Sequence, residues 1–571
     1  MHTVRVNQGN RLWLRFRLMP PVVALLLLCS MVGASQLAAF PASDKKYFDI
    51  IRSVDLFGEV YREVSASYVD RLDTTQLMYA GIDGMLHSLD PYTVFLDEEN
   101  SGELDEITHG KYVGVGISLA SLDGAVLVTS VTDSHPAAKA GVRIGDSILA
   151  INNKEVKKLS LADVKAMLKG VAGTSVTFTI ERPGVPTFTI RLTREEVKVN
   201  TVNHAALVQG TGYIEMKSFT GRSASELRTT CQELQQQAKN QHIRLKGIIL
   251  DLRNNPGGLL DAAVDVTSQF VPKGSKVVSI RGQSLPAEKS YTTKIPPLDT
   301  AMPLVVLINS ESASAAEIVS GAIQDMDRGV IIGERSFGKG LVQSVVRISY
   351  NHTLKITTAK YYTPSGRLIQ KERKIAQEKR KVLPKVSGQN LSQVFYTKSR
   401  RKVYGGGGIM PDIEVTVQHP PYLSELRRKG LLFLFSNKYC ASHSVMPLFP
   451  LDRPRLMASF DDFLKSQKFE YSSELERRFN ELKESMKKAA ENPANTTAQN
   501  SLDVLRLDVE RLKQQEIERE SAPVAQALEV EIFRHYNTRL ARKIELDNDA
   551  EVKKAVEILS DSGKYFSLLQ P

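Results

Sequence analysis

A serine at the mouth of a predicted helix, followed 25 residues later by a lysine between two glycines, is the pair best suited to chemistry in this 571-residue chain. The serine lies in Asn309-Ser310-Glu311-Ser312-Ala313-Ser314-Ala315-Ala316-Glu317, and the lysine in Ser336-Phe337-Gly338-Lys339-Gly340-Leu341-Val342-Gln343. A serine hydroxyl becomes a nucleophile only when a neighbouring base takes its proton. Lysine serves without histidine if burial keeps its amine neutral.

The elements that position this pair follow from local patterns. Pro303-Leu304-Val305-Val306-Leu307-Ile308 is a short apolar, β-branched run that predicts a buried strand. Beyond it, Ala315, Ile318, Val319, Ala322, Ile323 and Met326 recur at helical spacing. The chain therefore runs strand, tight loop, helix, with Ser314 at the junction. Two roles fit Ser314. It caps the helix through the box Ser314-Ala315-Ala316-Glu317, or it attacks a carbonyl whose oxyanion the free Ala315 amide helps to hold. Around the lysine, Gly333-Glu334-Arg335-Ser336-Phe337-Gly338-Lys339 has the glycine spacing of a phosphate-binding loop, but Gly340 replaces the magnesium-binding hydroxyl. Leu341 to Ile348 also reads as a strand where such a loop opens a helix, so nucleotide binding is rejected. Alternation along a strand puts Lys339, Leu341 and Gln343 on one face. Gln343 is then placed to orient the amine and Leu341 to desolvate it, and the flanking glycines predict close backbone packing.

A third segment, Lys246-Gly247-Ile248-Ile249-Leu250-Asp251-Leu252-Arg253, reads as another buried strand. It runs into Asn254-Asn255-Pro256-Gly257-Gly258 and a helical stretch from Leu259 to Phe270. The glycine pair is either a plain turn or a source of unobstructed amides for the same oxyanion. Together, Asp251–Gly258, Ser312–Glu317, Phe337–Gly340 with Gln343, and Tyr361-Tyr362-Thr363-Pro364-Ser365-Gly366-Arg367 resemble the carboxyl-terminal processing (tail-specific) proteases. Leu89-Asp90-Pro91-Tyr92-Thr93-Val94-Phe95-Leu96 is similar to the segment before their PDZ domain, and the likeness spans roughly residues 45 to 420. The resemblance implies an α/β serine-protease core with Ser314 as nucleophile, Lys339 as general base and Gln343 orienting the lysine. It implies an oxyanion hole of Ala315 with Gly257 or Gly258, the choice of glycine being open. A free lysine has a pKa of about 10.4, so proteolysis at neutral pH demands that Lys339 be largely enclosed. No metal-ligand cluster occurs and the ten histidines stand singly, so no metal or cofactor is expected.

At 42% apolar residues the chain can bury several cores. Residues 1–40 carry Arg5, Arg11, Arg15 and Arg17 without an acid, then an apolar run through Leu25-Leu26-Leu27-Leu28 to Ala39. That pattern is a secretory signal or an uncleaved membrane anchor, which sets the protein in the periplasm or another extracytoplasmic space. Leu28 before Cys29 argues against lipidation there. Cys231 and Cys440 read as free thiols rather than a disulfide framework. The net charge of +11 is localised, because residues 371–402 hold 11 Lys or Arg against 2 Glu. Interrupted by Pro384 and Gly388, this stretch is expected to be a solvated insertion, with contact to an anionic envelope surface or an acidic partner as the alternative, and nucleic-acid binding is excluded for want of a recognition module.

Residues 41–108 are expected to be helical, with Phe48, Ile51, Val54, Leu56 and Val60 on one broad face. Residues 109–197 turn to short strands around Pro136-Ala137-Ala138, Ala140-Gly141 and Gly145-Asp146, and resemble a PDZ domain. In that likeness Val115, Gly116, Ile117 and Ser118 form the carboxylate-binding loop, and a peptide tail adds as an edge strand. Residues 198–420 form the core, interrupted by the basic insertion, and 421–571 a helical C-terminal domain.

The expected protein is thus multidomain α+β and α/β. It is an exported serine endopeptidase acting on proteins with accessible C-terminal tails, with room for an adaptor protein and for homo-oligomers formed through the C-terminal helices. One rival is a catalytically silent PDZ adaptor on a protease fold. Another, a trypsin-like protease, lacks its glycine-flanked serine here.

Overall fold

The computed structural model describes residues 42–96, 110–349, 352–371, 393–416, 420–489 and 496–571. The apolar N-terminal run, Cys29 and most of the basic insertion lie outside the described residues. Among those described, no helix is long and apolar enough to cross a membrane.

The chain divides into two compact units, Met1–Leu86 and His87–Pro571. The first carries the expected helices, α1 (Ala42–Ser67) and α2 (Thr74–His87), joined by a hydrogen bond from Tyr61 Oη to the Thr74 carbonyl at 2.7 Å. The expectation of helix throughout 41–108 fails at β1 (Val94–Leu96), which pairs with a distant strand of the core.

The PDZ-type unit of the second body begins with β2 (Lys111–Gly114), β3 (Ile117–Leu122), β4 (Ala125–Val131) and α3 (Pro136–Lys139). It continues through β5 (Ser147–Ile151), β6 (Lys154–Glu155), α4 (Leu161–Leu168), β7 (Ser175–Arg182), β8 (Val185–Thr193) and β9 (Glu195–Lys198). Its sheet runs β3-β4-β5-β7-β8, which leaves β3 at an edge. Val128, Ile148, Ile151, Val164, Phe178 and Ile180 fill its interior.

The core sheet runs β10 (Val202–Val208), β11 (Thr211–Met216), β12 (Ile248–Asp251), β15 (Leu304–Ile308), β16 (Val330–Gly333) and β21 (Ile413–Glu414). Beyond the β10–β11 hairpin every pair is parallel. Parallel strands need crossover helices, and a sheet covered on both faces reads as unbroken apolar runs, as Leu304–Ile308 does. Side chains alternate between faces. Ile214, Leu250, Leu304 and Val306 pack on α5 (Ser223–Asn240), α6 (Leu260–Thr267) and α7 (Ala315–Asp325). Tyr213, Ile249, Val305, Leu307 and Ile332 face the opposite way.

A second sheet of the core has the order β1-β18-β13-β14, with β13 (Lys276–Arg281), β14 (Lys289–Thr292) and β18 (Thr353–Tyr362), and with β17 (Leu341–Arg347) paired to β18. The end of the basic stretch departs from a solvated loop. Val394–Tyr396 and Lys402–Tyr404 form the hairpin β19–β20, and Arg401 pairs with Asp327 and Asp412, each at 2.7 Å.

The C-terminal region folds as α8 (Pro421–Arg428), α9 (Leu431–Ser442), α10 (Arg453–Ser466), α11 (Glu474–Ala489) and α12 (Thr496–Tyr536), followed by α13 (Thr538–Asn548), α14 (Ala550–Ser560) and α15 (Ser562–Ser567). Of these, α8, α9, α10 and α12 share a core around Leu426, Phe460, Val524 and Leu528. The last three do something the sequence did not announce. Leu546, Val552, Ala555, Ile558 and Tyr565 cover the second face of the core sheet. Cys231 and Cys440 are free.

Candidate active site

Three loops leave the carboxyl ends of neighbouring parallel strands, where open α/β sheets hold their ligands. The loop after β12 carries Gly257 and Gly258, that after β15 carries Ser314, and that after β16 carries Lys339.

Ser314 adopts φ 55°, ψ −113°, a region costly for a residue with a side chain and one that clusters at functional sites. A capping serine has no need of it, since N-caps are extended. The Glu317 N–H donates to the Ser314 carbonyl at 2.9 Å, and the Ser314 N–H donates to Glu317 Oε2, also at 2.9 Å. Glu317 is fully buried and accepts three further bonds. These come from the Ser336 hydroxyl (2.5 Å), the Gly338 N–H (2.7 Å) and the Lys339 N–H (2.9 Å). All four acceptor positions of the carboxylate are used. Burial pushes its pKa up, and the four donors hold it back. One side chain thereby fixes the main chains of both Ser314 and Lys339. Tyr361, also buried, adds a second tie, its hydroxyl lying between the Ser314 carbonyl (3.1 Å) and that of Lys339.

The glycines beside Lys339 pack closely, as their presence implied. A Cβ on Gly340 would lie 2.8 Å from the Gln370 nitrogen, and one on Gly338 would lie 2.8 Å from the Lys371 Cβ. The Lys339 ammonium nitrogen sits 4.6 Å from the centre of the Tyr92 ring. Burial, reinforced by the charge of Lys355, lowers its pKa to about 8 against the pull of Glu317 and Asp90. β17 starts at Leu341, so Lys339 precedes the strand and the argument from a shared face does not apply to it. Gln343 Nε2 donates to Thr357 Oγ1 at 3.3 Å, beyond a register slip between Val342 and Gln343.

The glycine loop is stitched to the serine loop. Asn254 N–H donates to Asn309 Oδ1 and Ala313 N–H to the Asn255 carbonyl, each at 2.9 Å. A Cβ on Gly257 would stand 2.8 Å from the Ser314 Cβ and 2.9 Å from the Ala315 nitrogen, so only glycine allows this approach. The two glycines differ. Gly257 N–H donates to Asn255 Oδ1 at 2.9 Å, whereas Gly258 N–H and Ala315 N–H make no hydrogen bond among the described residues. The Ala315 amide follows Ser314 directly, and Gly258 is the residue after the Gly257 that packs on Ser314.

The expected carboxylate loop lies in the PDZ-type unit. Val115 and Gly116 precede β3, while Ile117 and Ser118 are its first residues, opposite Val131 and Ser130. Gly116 has φ 79°, and a Cβ there would be 2.6 Å from that of His135. The structure thus gathers Ser314, Ala315, Gly257, Gly258 and Lys339, and keeps Val115–Ser118 apart on another unit. Sequence reasoning had Glu317 only as a helix cap and Tyr361 only as part of a motif, and it missed Tyr92 and Lys355 as neighbours of the lysine.

Comparison with known proteins identifies four matching stretches. Residues 210–379 match the peptidase family S41 and 127–182 the PDZ domain. Residues 33–100 match the N-terminal domain of the activating protease CtpB, and 422–559 the C-terminal helical domain of a probable PDZ-protease. The chain is 38% identical over 351 residues to a carboxy-terminal-processing protease of Bartonella bacilliformis, covering 61% of this chain and 79% of that protein. It is 35% identical over 349 residues to the chloroplastic C-terminal processing peptidase of Tetradesmus obliquus, covering 54% and 74%. Among solved structures, the photosystem II D1 C-terminal processing protease aligns at 32% identity and a TM-score of 0.33, over 63% of this chain and 92% of that one.

Proposed function

The chain belongs to the carboxy-terminal processing protease family, and from that premise we propose that it is an exported serine endopeptidase working through a Ser314–Lys339 dyad. The observation that carries this reading is the strained Ser314 backbone, held with that of Lys339 on the single carboxylate of Glu317.

Lys339, neutral in a useful fraction because its pKa is lowered to about 8, takes the proton of Ser314 Oγ as the oxygen attacks the peptide carbonyl. The negative oxygen that forms is held by the N–H groups of Ala315 and Gly258. The lysine proton passes to the leaving amine and an acyl ester remains on Ser314. Water, deprotonated by the same amine, attacks the ester and frees the enzyme. Gln343, next to Thr357, orients the amine as substrate enters. The PDZ unit takes the substrate's C-terminal carboxylate on Val115–Ser118 and its last residues along the open edge of β3. Substrates are proteins with accessible tails. Export rests on the basic-then-apolar N-terminal run, which acts as signal or anchor.

The test is turnover of an unfolded reporter protein by the wild type, Ser314→Ala and Lys339→Ala. Loss of cleavage in both variants supports the dyad, and cleavage persisting in both refutes the site. A wild type that binds tails without turnover returns the silent-adaptor reading. Equal cleavage of free and amidated tails refutes recognition through the PDZ unit.

A further inference from the structure

The peptidase S41 match ends at residue 379, yet the root of the active-site loops is tied to residues far beyond it. Arg253 follows β12 and leads into the glycine loop. Its guanidinium grips Asp251, Nη2 to Oδ2 at 2.6 Å, and Asp251 also accepts from Tyr213 Oη at 2.6 Å. The remaining face of the guanidinium is filled from the C-terminal helices. Asp549 Oδ2 lies 2.8 Å from Arg253 Nη1, and Glu551 closes on the same nitrogen. Asp549 is itself held, because its Oδ1 caps α14 by accepting from the Glu551 and Val552 amides, each at 3.0 Å.

Glu551 is 2% exposed, and its Oε1 has no hydrogen-bond partner. That oxygen lies 2.7 Å from where a Cβ on Gly333 would stand, and Gly333 ends β16 at the start of the lysine loop. One carboxylate therefore touches the root of the glycine loop and the root of the lysine loop. Burying a cation among three carboxylates is a poor way to gain stability, since apolar side chains of similar volume would close the gap at lower cost. What the arrangement supplies is direction, because a guanidinium fork held on both sides cannot turn.

We propose that Asp549 and Glu551 are positioning residues of the active site, clamping Arg253 and Gly333 so that the Gly258 amide and Lys339 stay in register with Ser314. The C-terminal helices are then part of the catalytic apparatus rather than an appended domain. This rests on the dyad reading given above.

The test uses the full-length chain with Glu551→Gln and Asp549→Asn, singly and together. Turnover is expressed per active site titrated with a fluorophosphonate, so that a smaller folded fraction does not count as a slower enzyme. Glu557→Gln on the same helix, whose carboxylate pairs at the surface with Lys554 and Lys564, is the control. We expect kcat per titrated site to fall about 10- to 100-fold in the double variant, with KM within about threefold and the control at wild-type rate. If the double variant does not fold, the isosteric Glu551→Gln alone decides, with an expected fall of several-fold. Wild-type kcat per site in the latch variants overturns the proposal, as does an equal loss in the control. A wild type that neither turns over nor reacts with the phosphonate overturns the dyad reading and this inference with it.

Discussion

The pH dependence of the wild-type enzyme is the most direct consequence of the lysine's surroundings. Burial, with Lys355 alongside, brings Lys339 to about 8 against Glu317 and Asp90. At pH 7 about one lysine in eleven is then neutral, against about one in 2,500 at the ordinary pKa of about 10.4, a gain of roughly 200-fold in competent enzyme. The deprotonated amine is the active form, so activity rises with pH. Below the pKa, kcat/KM should climb about tenfold per pH unit, and it should level off above about 8. No falling limb is expected up to about pH 10, because the proton for the leaving amine comes from the serine and Tyr361 is pushed well above its ordinary range by burial. The assay is initial velocity on a disordered, quenched-fluorescence peptide without Asp, Glu or His near the cleaved bond. Since kcat/KM reports the free enzyme, substrate binding does not distort the midpoint. An acid limb centred near 6.5, the histidine value, would show that another group is the base. A flat profile between pH 6 and 9 would refute the argument from burial altogether.

Glu317→Gln replaces an acceptor of four bonds by an amide whose NH2 must face two of the donors. Two buried donors left unpaired cost about 2–6 kcal/mol, readable in urea unfolding, with kcat falling in parallel. Wild-type stability would mean that the carboxylate is not the keystone. Gly258→Ala places a Cβ 2.1 Å from the Phe219 carbonyl oxygen at φ +146°. The displaced amide should lower kcat about 10²- to 10³-fold with little change in KM, and an unchanged kcat removes Gly258 from the oxyanion hole. Lys355→Met deletes the like charge near Lys339, so the acid limb should move to higher pH by up to about one unit, with the plateau rate kept. A shift to lower pH contradicts the charge argument.

The order strand, loop, helix around Ser314 was legible because each step has a local signature, namely an apolar β-branched run, a polar junction and a 3.6-residue period. The close packing around Ser314 was legible in outline, since paired glycines after a buried strand signal backbone that must come close to something. What they come close to is a tertiary fact. Glu317 reads as a cap because three of its four donors lie across the next strand, from Ser336 to Lys339. Gln343 was assigned to the lysine by alternation, which holds only inside a strand, and β17 starts after Lys339. β1 was absorbed into a helical stretch because three residues carry too little periodicity to stand out. α14 was legible only within the broad reading of 421–571 as helical, and helical pattern does not say which surface a helix covers.

The far face of the core sheet has a consequence for how the protein comes into being. Tyr213 on β11 and Arg542 on α13, which meet across that face, are 329 residues apart in the chain. Closing so long a loop adds only a logarithmic entropy, so the toll falls on time rather than on stability, through contacts distant in sequence. A chain made from its N-terminus can assemble β10 to β16, with Ser314 and Lys339 in place, while Tyr213, Ile249, Val305 and Leu307 still lack their cover. That cover comes with Leu546, Val552, Ile558 and Tyr565, all of which emerge well after Lys339. A chain stopped short of α14 leaves that face of the sheet without most of this cover.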